Sequence, residues 1–262
     1  MYIFLYDEGT PEELDIEEIA TYLGQKLGEV KTEVRGNPFT YHLPQNRIPD
    51  YAGKIARAKI ADMYKRPPGP EPLYAEIEYE RRRILGKTKA FGVVYDGLGL
   101  LKALAETLPI AESGRDFIHI ILTNRLFATW DDSNKRYHLR TSLYAIPSVI
   151  STTGLVEAPA RPKEYYLLKQ QYERLGKDLS ELKDKFQGGF LDYGDMRLTE
   201  VVKGYAMQAA FYALTGEPFC EDRGCRLYNA HWQEELIFAQ LESSYEFCPK
   251  HTELLGKVQS LM

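Results

Sequence analysis

Residues 209–227, AAFYALTGEPFCEDRGCRL, join the end of an apolar helix to a pair of cysteines. Upstream of them, roughly Thr199 to Leu214 is apolar on most sides, which predicts a buried helix stopping at Gly216, where a residue without a Cβ can take the left-handed turn that ends helices. Cys220 and Cys225 follow, with four residues between them, and Cys248 and His251 come later with two between them. Each close pair can present two ligands from one tight turn, and Gly224 and Pro249 suit such turns. Three thiolates and an imidazole complete a tetrahedron and leave no position open for water or substrate. The spacing therefore predicts one structural zinc ion per chain on Cys220, Cys225, Cys248 and His251. The competing reading is three ordinary buried cysteines and an unrelated surface histidine.

Composition agrees with this setting. The 262 residues are long enough for a substantial core, and three cysteines cannot all be paired within one chain. Clustered between 220 and 248 of a chain expected to be cytoplasmic, they suggest metal before disulfide. The opening MYIFLYDEGTPEELD places acidic residues straight after a short apolar run, so it reads as a strand and helix rather than a signal peptide. No apolar run approaches the roughly 20 residues of a membrane span. A net charge of −5 argues against a surface dedicated to nucleic acid. Arg81-Arg82-Arg83 is a local basic run, read as a solvated helix face.

Along the chain, 2–6 is a strand, and Thr10, Pro11 and Glu13 make a capped start for a helix with apolar Ile16, Ile19, Ala20, Leu23 and Leu27. With a strand at Val30–Val34 this is a β-α-β opening. A helix is expected over Asp50–Lys65, ended by the PPGPEP run at 67–72. Strands at Ala90–Tyr95 and Phe117–Thr123 flank a helix near Leu100–Thr107, a hairpin turns through DDSNK between Leu126–Trp130 and Arg136–Tyr144, and Ser148–Leu155 reads as another strand. The fold class is α/β (α+β), a mixed sheet with packed helices. Leu168, Tyr172, Leu175, Leu179, Leu182 and Phe186 form a narrow heptad-like seam, predicting one charged helix over 163–187 that packs on this chain or docks on another copy or a partner.

With the zinc ligands placed, the segment from Phe117 to His251 resembles the archaemetzincins, zinc peptidases of the metzincin group. Their pattern is HExxHxxGxxHC, four residues, a second cysteine, a methionine two positions later and a C-x2-C pair downstream. Cys220, Cys225 and Cys248 match three of those cysteines, and His251 stands at the fourth. Counting back from Cys220, the three catalytic zinc histidines fall on Ala209, Ala213 and Phe219, the glutamate base on Ala210 and the methionine on Leu227; only Gly216 is kept. SVISTTGLVEAP at 148–159 stands where such proteins carry a substrate-lining edge strand. The resemblance implies a single metzincin-like domain over 1–262, with a helical insertion at 163–192 and a zinc-binding region at 216–262.

Alanine and phenylalanine can neither bind zinc nor accept a proton from metal-bound water. The expected function is that of a pseudoenzyme: a catalytically silent metzincin-like protein with a structural zinc that binds a protein or peptide partner. The alternative is a zinc peptidase using a displaced site. His42, His119, His138 and His231 remain for it, none at i, i+4 from another, and His231 with Glu235 is half a metal site at most. No P-loop, nucleophile elbow or GxGxxG supports a metal-free enzyme.

Overall fold

A computed structural model describes residues 1–28, 30–66, 69–88, 92–178, 180–186 and 188–261. The chain runs β1 (Tyr2–Glu8), α1 (Ile16–Leu27), β2 (Lys31–Arg35), α2 (Pro38–His42), α3 (Ile48–Arg57), α4 (Tyr74–Ile84), β3 (Val94–Asp96), α5 (Gly97–Ala105), β4 (Phe117–Thr123), β5 (Leu126–Asp131), β6 (Arg136–Arg140), β7 (Ser142–Leu143), β8 (Ser148–Ser151), α6 (Thr152–Glu157), α7 (Lys163–Leu175), α8 (Ser180–Lys185), α9 (Leu198–Thr215), α10 (Gln233–Ile237) and α11 (Pro249–Leu261). The class is the mixed α/β that the order of elements predicts.

The larger sheet has the order β2-β1-β4-β8-β7, parallel throughout except for antiparallel β7 at its edge. Side chains alternate across it. Ile3 and Leu5 of β1, with Ile118, Ile120 and Leu122 of β4, face a core shared with α1 and α9. Phe4, Tyr6 and Ile121 face a second core, with Tyr51 and Ile55 of α3, Leu100 and Leu104 of α5, and Phe127 of the β3-β5-β6 sheet. Burial on both faces explains why these strands read as continuous apolar runs.

Several boundaries differ from expectation. Helix α1 is capped by Asp15, whose carboxylate accepts the Glu18 N–H at 2.9 Å; Thr10 instead bonds back to Asp7, closing the turn after β1. Helix α3 ends at Arg57, well before the proline run (Pro67 and Pro68 lie outside the described residues), because the chain leaves it to pair with β3: Ile60 N–H donates to the Val94 carbonyl at 2.9 Å. Ala90 and Phe91 of the expected strand also lie outside the described residues. The β-branched run at 148–155 is a strand only to Ser151. There the Ser151 hydroxyl caps Gly154 N–H at 2.7 Å and turns the chain into α6. SVIS thus lies inside the sheet, and Ser142–Leu143 forms the edge.

The helix expected over 163–187 is two helices. Gly176, at φ 62°, takes the left-handed conformation that terminates α7, and Lys177 N–H returns to the Tyr172 carbonyl. α8 then folds back. Leu182 is buried against Tyr165 and Phe190, Phe186 packs edge-on to Tyr165, and Lys185 pairs with Glu164 at 3.2 Å. Leu175 is left exposed, and Leu179 lies outside the described residues. Among the described residues, part of the seam therefore closes on itself, with Leu182 and Phe186 turned toward Tyr165. Among the described residues no helix is long and apolar enough to cross a membrane.

Candidate metal centre and the helix beside it

Helix α9 is buried along most of its length, from Leu198 to Phe211, as its nearly uniform apolar surface requires. It ends at Gly216, at φ 80°, the left-handed position expected of that glycine. The chain then enters a tight knuckle: Cys220 N–H donates to the Leu227 carbonyl at 2.9 Å, and Cys225 N–H to the Asp222 carbonyl at 3.0 Å. Asp222 accepts from Gly224 N–H and from the Tyr245 hydroxyl, at 2.9 and 2.7 Å. A Cβ on Gly224 would lie 2.5 Å from that hydroxyl, so only glycine lets the knuckle approach so closely. Cys248 precedes α11, whose first residue is Pro249, and one helical turn brings His251 beside it.

The four donor atoms converge within 4.8 Å of one another. Cys220 Sγ and Cys248 Sγ are 3.8 Å apart, and His251 Nδ1 lies 3.6 Å from Cys225 Sγ and 3.2 Å from Cys248 Sγ. Tetrahedral coordination with bonds of about 2.3 Å to sulfur and about 2.1 Å to nitrogen would place two sulfurs about 3.8 Å apart and sulfur and nitrogen about 3.6 Å apart. The separations fit one metal ion, and the three thiols are free of disulfides. Cys225, Cys248 and His251 are buried, and the His251 ring meets Phe211 of α9 edge-on. Burial pushes the Cys225 thiol up to about 12, raises Cys220 and lowers His251. All three shifts disfavour charge, so a bound cation is what would make these sulfurs thiolates. Among the described residues this is the one group of three or more His, Cys, Asp or Glu that could hold an ion.

The neighbouring motif positions carry no such chemistry. Ala209 and Ala210 are buried within the core, Ala213 and Phe219 are exposed, and Leu227 is fully buried. Aromatic rings crowd this end of α9. Tyr144, just after edge strand β7, packs edge-on against Phe219 with centroids 5.5 Å apart, and lies 6.3 Å from the Tyr212 ring. Its hydroxyl donates to Gln208 Oε1, and burial raises its pKa well above the ordinary phenol value. Tyr144 was invisible as a participant in the sequence because the turn that delivers it is a tertiary feature.

The remaining histidines lie elsewhere. His231 precedes α10 rather than lying on it, and the Glu235 carboxylate accepts the His231 and Trp232 N–H groups at 3.0 and 3.2 Å, a capping role. His138 sits 3.4 Å from Asp131 in the β5-β6 hairpin. His42 and His119, 77 positions apart in sequence, meet on the Tyr6 hydroxyl at 3.0 and 3.1 Å. His119 Nε2 faces the Glu112 carbonyl at 2.9 Å and so carries a proton, which makes its Nδ1 the acceptor of the Tyr6 hydroxyl. Arg35 donates to Tyr6 at 3.0 Å and pairs with Glu112. Burial lowers both histidines and raises Tyr6 to about 12, keeping this network neutral beside the arginine.

A comparison with curated proteins finds no match. Among solved structures, the chain is similar to archaemetzincin from Methanopyrus kandleri (15% identity, 99% of this chain and 96% of that one covered, TM-score 0.43). It is likewise similar to a zinc-dependent peptidase from Methanocorpusculum labreanum (13% identity, 97% and 100% covered, TM-score 0.48). The family model described as "Probable metallopeptidase family (DUF6775)" matches residues 1–258, and the chain belongs to that family.

Proposed function

We propose that this member of a metallopeptidase family keeps one structural zinc, on Cys220, Cys225, Cys248 and His251, and has lost hydrolysis, acting instead by binding a protein or peptide. The observation that carries this reading is the side-chain chemistry of α9. Counted back from Cys220, Ala209, Ala210, Ala213 and Phe219 stand where the archaemetzincin pattern would have its zinc ligands and base, and the Tyr144 ring packs against Phe219. A closed four-ligand site of thiolates and imidazole stabilises its surroundings and leaves no open position for a reacting water. Its natural role is to tie the 220–227 knuckle to the start of α11, and through Phe211 to α9.

The test is one experiment with two readouts. Zinc-loaded protein is incubated with a broad peptide library, and both retention and cleavage are scored, with Cys225→Ser in parallel. The expected outcome is retention of a subset of peptides and no cleavage. Chelator-sensitive cleavage that follows the protein through purification refutes the silent reading and points to a displaced site.

A further inference from the structure

Tyr6 is fully buried in β1, and its hydroxyl is the meeting point of three side chains. His42, the last residue of α2, places Nε2 3.0 Å from it, and His119 of β4 places Nδ1 at 3.1 Å. Arg35 of β2 donates to it from Nη1 at 3.0 Å. A hydroxyl has one proton to give and two lone pairs to fill. The proton goes to His119 Nδ1, because His119 Nε2 carries the one that faces the Glu112 carbonyl. Arg35 fills one lone pair, and His42 fills the other by donating from Nε2. Every position on the hydroxyl is then taken. His42 Nδ1, on a half-buried ring, is left as an acceptor with no partner among the described residues.

Counting protons shows what this network tolerates. One added proton fits. It enters at His42 Nδ1 and stays there, or His42 gives its Nε2 proton to Tyr6 while Tyr6 gives its own to His119. The two rings then exchange roles, every hydrogen bond survives, and one imidazolium results. A second proton does not fit. With both rings charged, His42, His119 and Arg35 would aim three N–H groups at two lone pairs, and the Tyr6 proton would face no acceptor. Charge acts in the same direction. Both imidazoliums would stand beside the Arg35 guanidinium, which already holds Glu112 at 2.7 and 3.1 Å and Glu33 at 2.9 Å. Tyr41 brings a neutral hydroxyl, which donates to Glu33 at 3.3 Å. Burial pushes both histidines below the usual imidazole range.

We infer that the His42–Tyr6–His119 network is an acid-operated clasp, which holds α2 on the sheet with no added proton or one and releases it when both histidines are charged. Release uncovers Phe39 of α2, which is fully buried in the second core. The same stretch supplies Gly36, Asn37 and Thr40 to one wall of the cavity beyond the carboxyl end of β1, so its release changes that wall. Freed histidines take up protons near their ordinary value of about 6.5 and clasped ones at a lower value, so opening becomes easier as the pH falls below that value.

The test is hydrogen exchange of the zinc-loaded full chain between pH 7.5 and 5.5, corrected for the intrinsic rate. The reporters are the Thr40 and Tyr41 amides, which donate to the Asn37 carbonyl at 3.0 and 2.8 Å, with the Ile120 amide of β4 as the measure of global opening. Two freed histidines favour the open form by about 100-fold over this range, and the one proton the clasp accepts offsets part of that. Opening of α2 should therefore rise about tenfold or more while Ile120 stays protected. His119→Gln keeps a donor for the Glu112 carbonyl and an acceptor for Tyr6 but removes one protonation, so its opening should rise only about twofold to threefold. His42→Gln alters a half-buried ring, keeps a donor to Tyr6 and should behave alike, so the test stands even if His119→Gln fails to fold. A native rise below about threefold, a rise in either variant equal to the native one, or Thr40 and Ile120 losing protection together would each overturn the clasp.

Discussion

Replacing Arg125 by methionine should destabilise the protein by about 3 kcal/mol at neutral pH. The guanidinium is fully buried, with Nε 3.0 Å from Glu8 and Nη1 2.6 Å from Glu80. Methionine conserves the stem and removes the charge. Glu80 would retain Lys59 at 3.1 Å and the Tyr95 hydroxyl at 2.9 Å, whereas Glu8 would be left with the Thr123 hydroxyl. Breaking a buried pair by removing one partner costs about 3–5 kcal/mol. Arg125 Nη2 has no hydrogen-bond partner among the described residues, so its removal relieves part of that cost and sets the expectation at the lower end. At about 2–4 °C per kcal/mol for a chain of this size, Tm should fall by about 6–12 °C.

The pH dependence supplies a second check. In the native protein burial pushes the Glu80 carboxyl up, but Arg125, Lys59 and the Tyr95 hydroxyl together outweigh it and the net shift is downward. A depressed folded-state pKa adds stability above the ordinary carboxylate range, lost as the pH falls through the folded value. Without Arg125 burial dominates and the sign reverses, so the variant regains stability relative to the native protein as the pH falls toward 5. The assay is calorimetric or urea unfolding of both proteins from pH 7.5 to 5, with Arg125→Met/Glu8→Gln as the compensated double. The double should recover at least half of the loss. A single variant within about 1 kcal/mol of the native protein, or a double no better than the single, refutes the network as a charge-balanced unit.

Three further outcomes are expected in other parts of the molecule. Gly204→Ala on α9 would place a Cβ 1.8 Å from Gln240 Oε1 and 2.8 Å from Arg226 Cγ, and should cost about 2 kcal/mol or more in urea unfolding; Gly53→Ala on α3, with nothing within 4 Å, should stabilise by about 0.5–1 kcal/mol. Leu175→Glu should leave both stability and oligomeric state unchanged because the side chain is exposed. Leu182→Glu should selectively loosen the α7–α8 hairpin, which hydrogen exchange would detect as lost protection there. Chelation of zinc should raise exchange in 220–227 and at the start of α11 before it affects β1 or β4, as expected of a metal whose binding energy is local folding energy.

The convergence of Cys220, Cys225, Cys248 and His251 was legible in the chain because each pair is short-range. A four-residue gap and a two-residue gap constrain the backbone wherever the rest of the fold goes, and all four predicted residues converge. Helix α9 was equally plain, since eighteen residues of apolar surface ending in glycine have few other solutions. Tertiary structure decided what depends on distant partners. The 163–187 segment satisfies a helical pattern throughout, yet Gly176 breaks it because folding back buries Leu182 against Tyr165 and Phe190. The run at 148–155 satisfies a strand pattern, yet Ser151 ends the strand because its hydroxyl both caps α6 and donates to the Arg125 carbonyl at 2.7 Å. The meeting of His42 and His119 on Tyr6 and the packing of Tyr144 against Phe219 leave no local periodicity. They arise from strand order, which brings residues tens of positions apart to one place, and a one-dimensional pattern carries no record of that order.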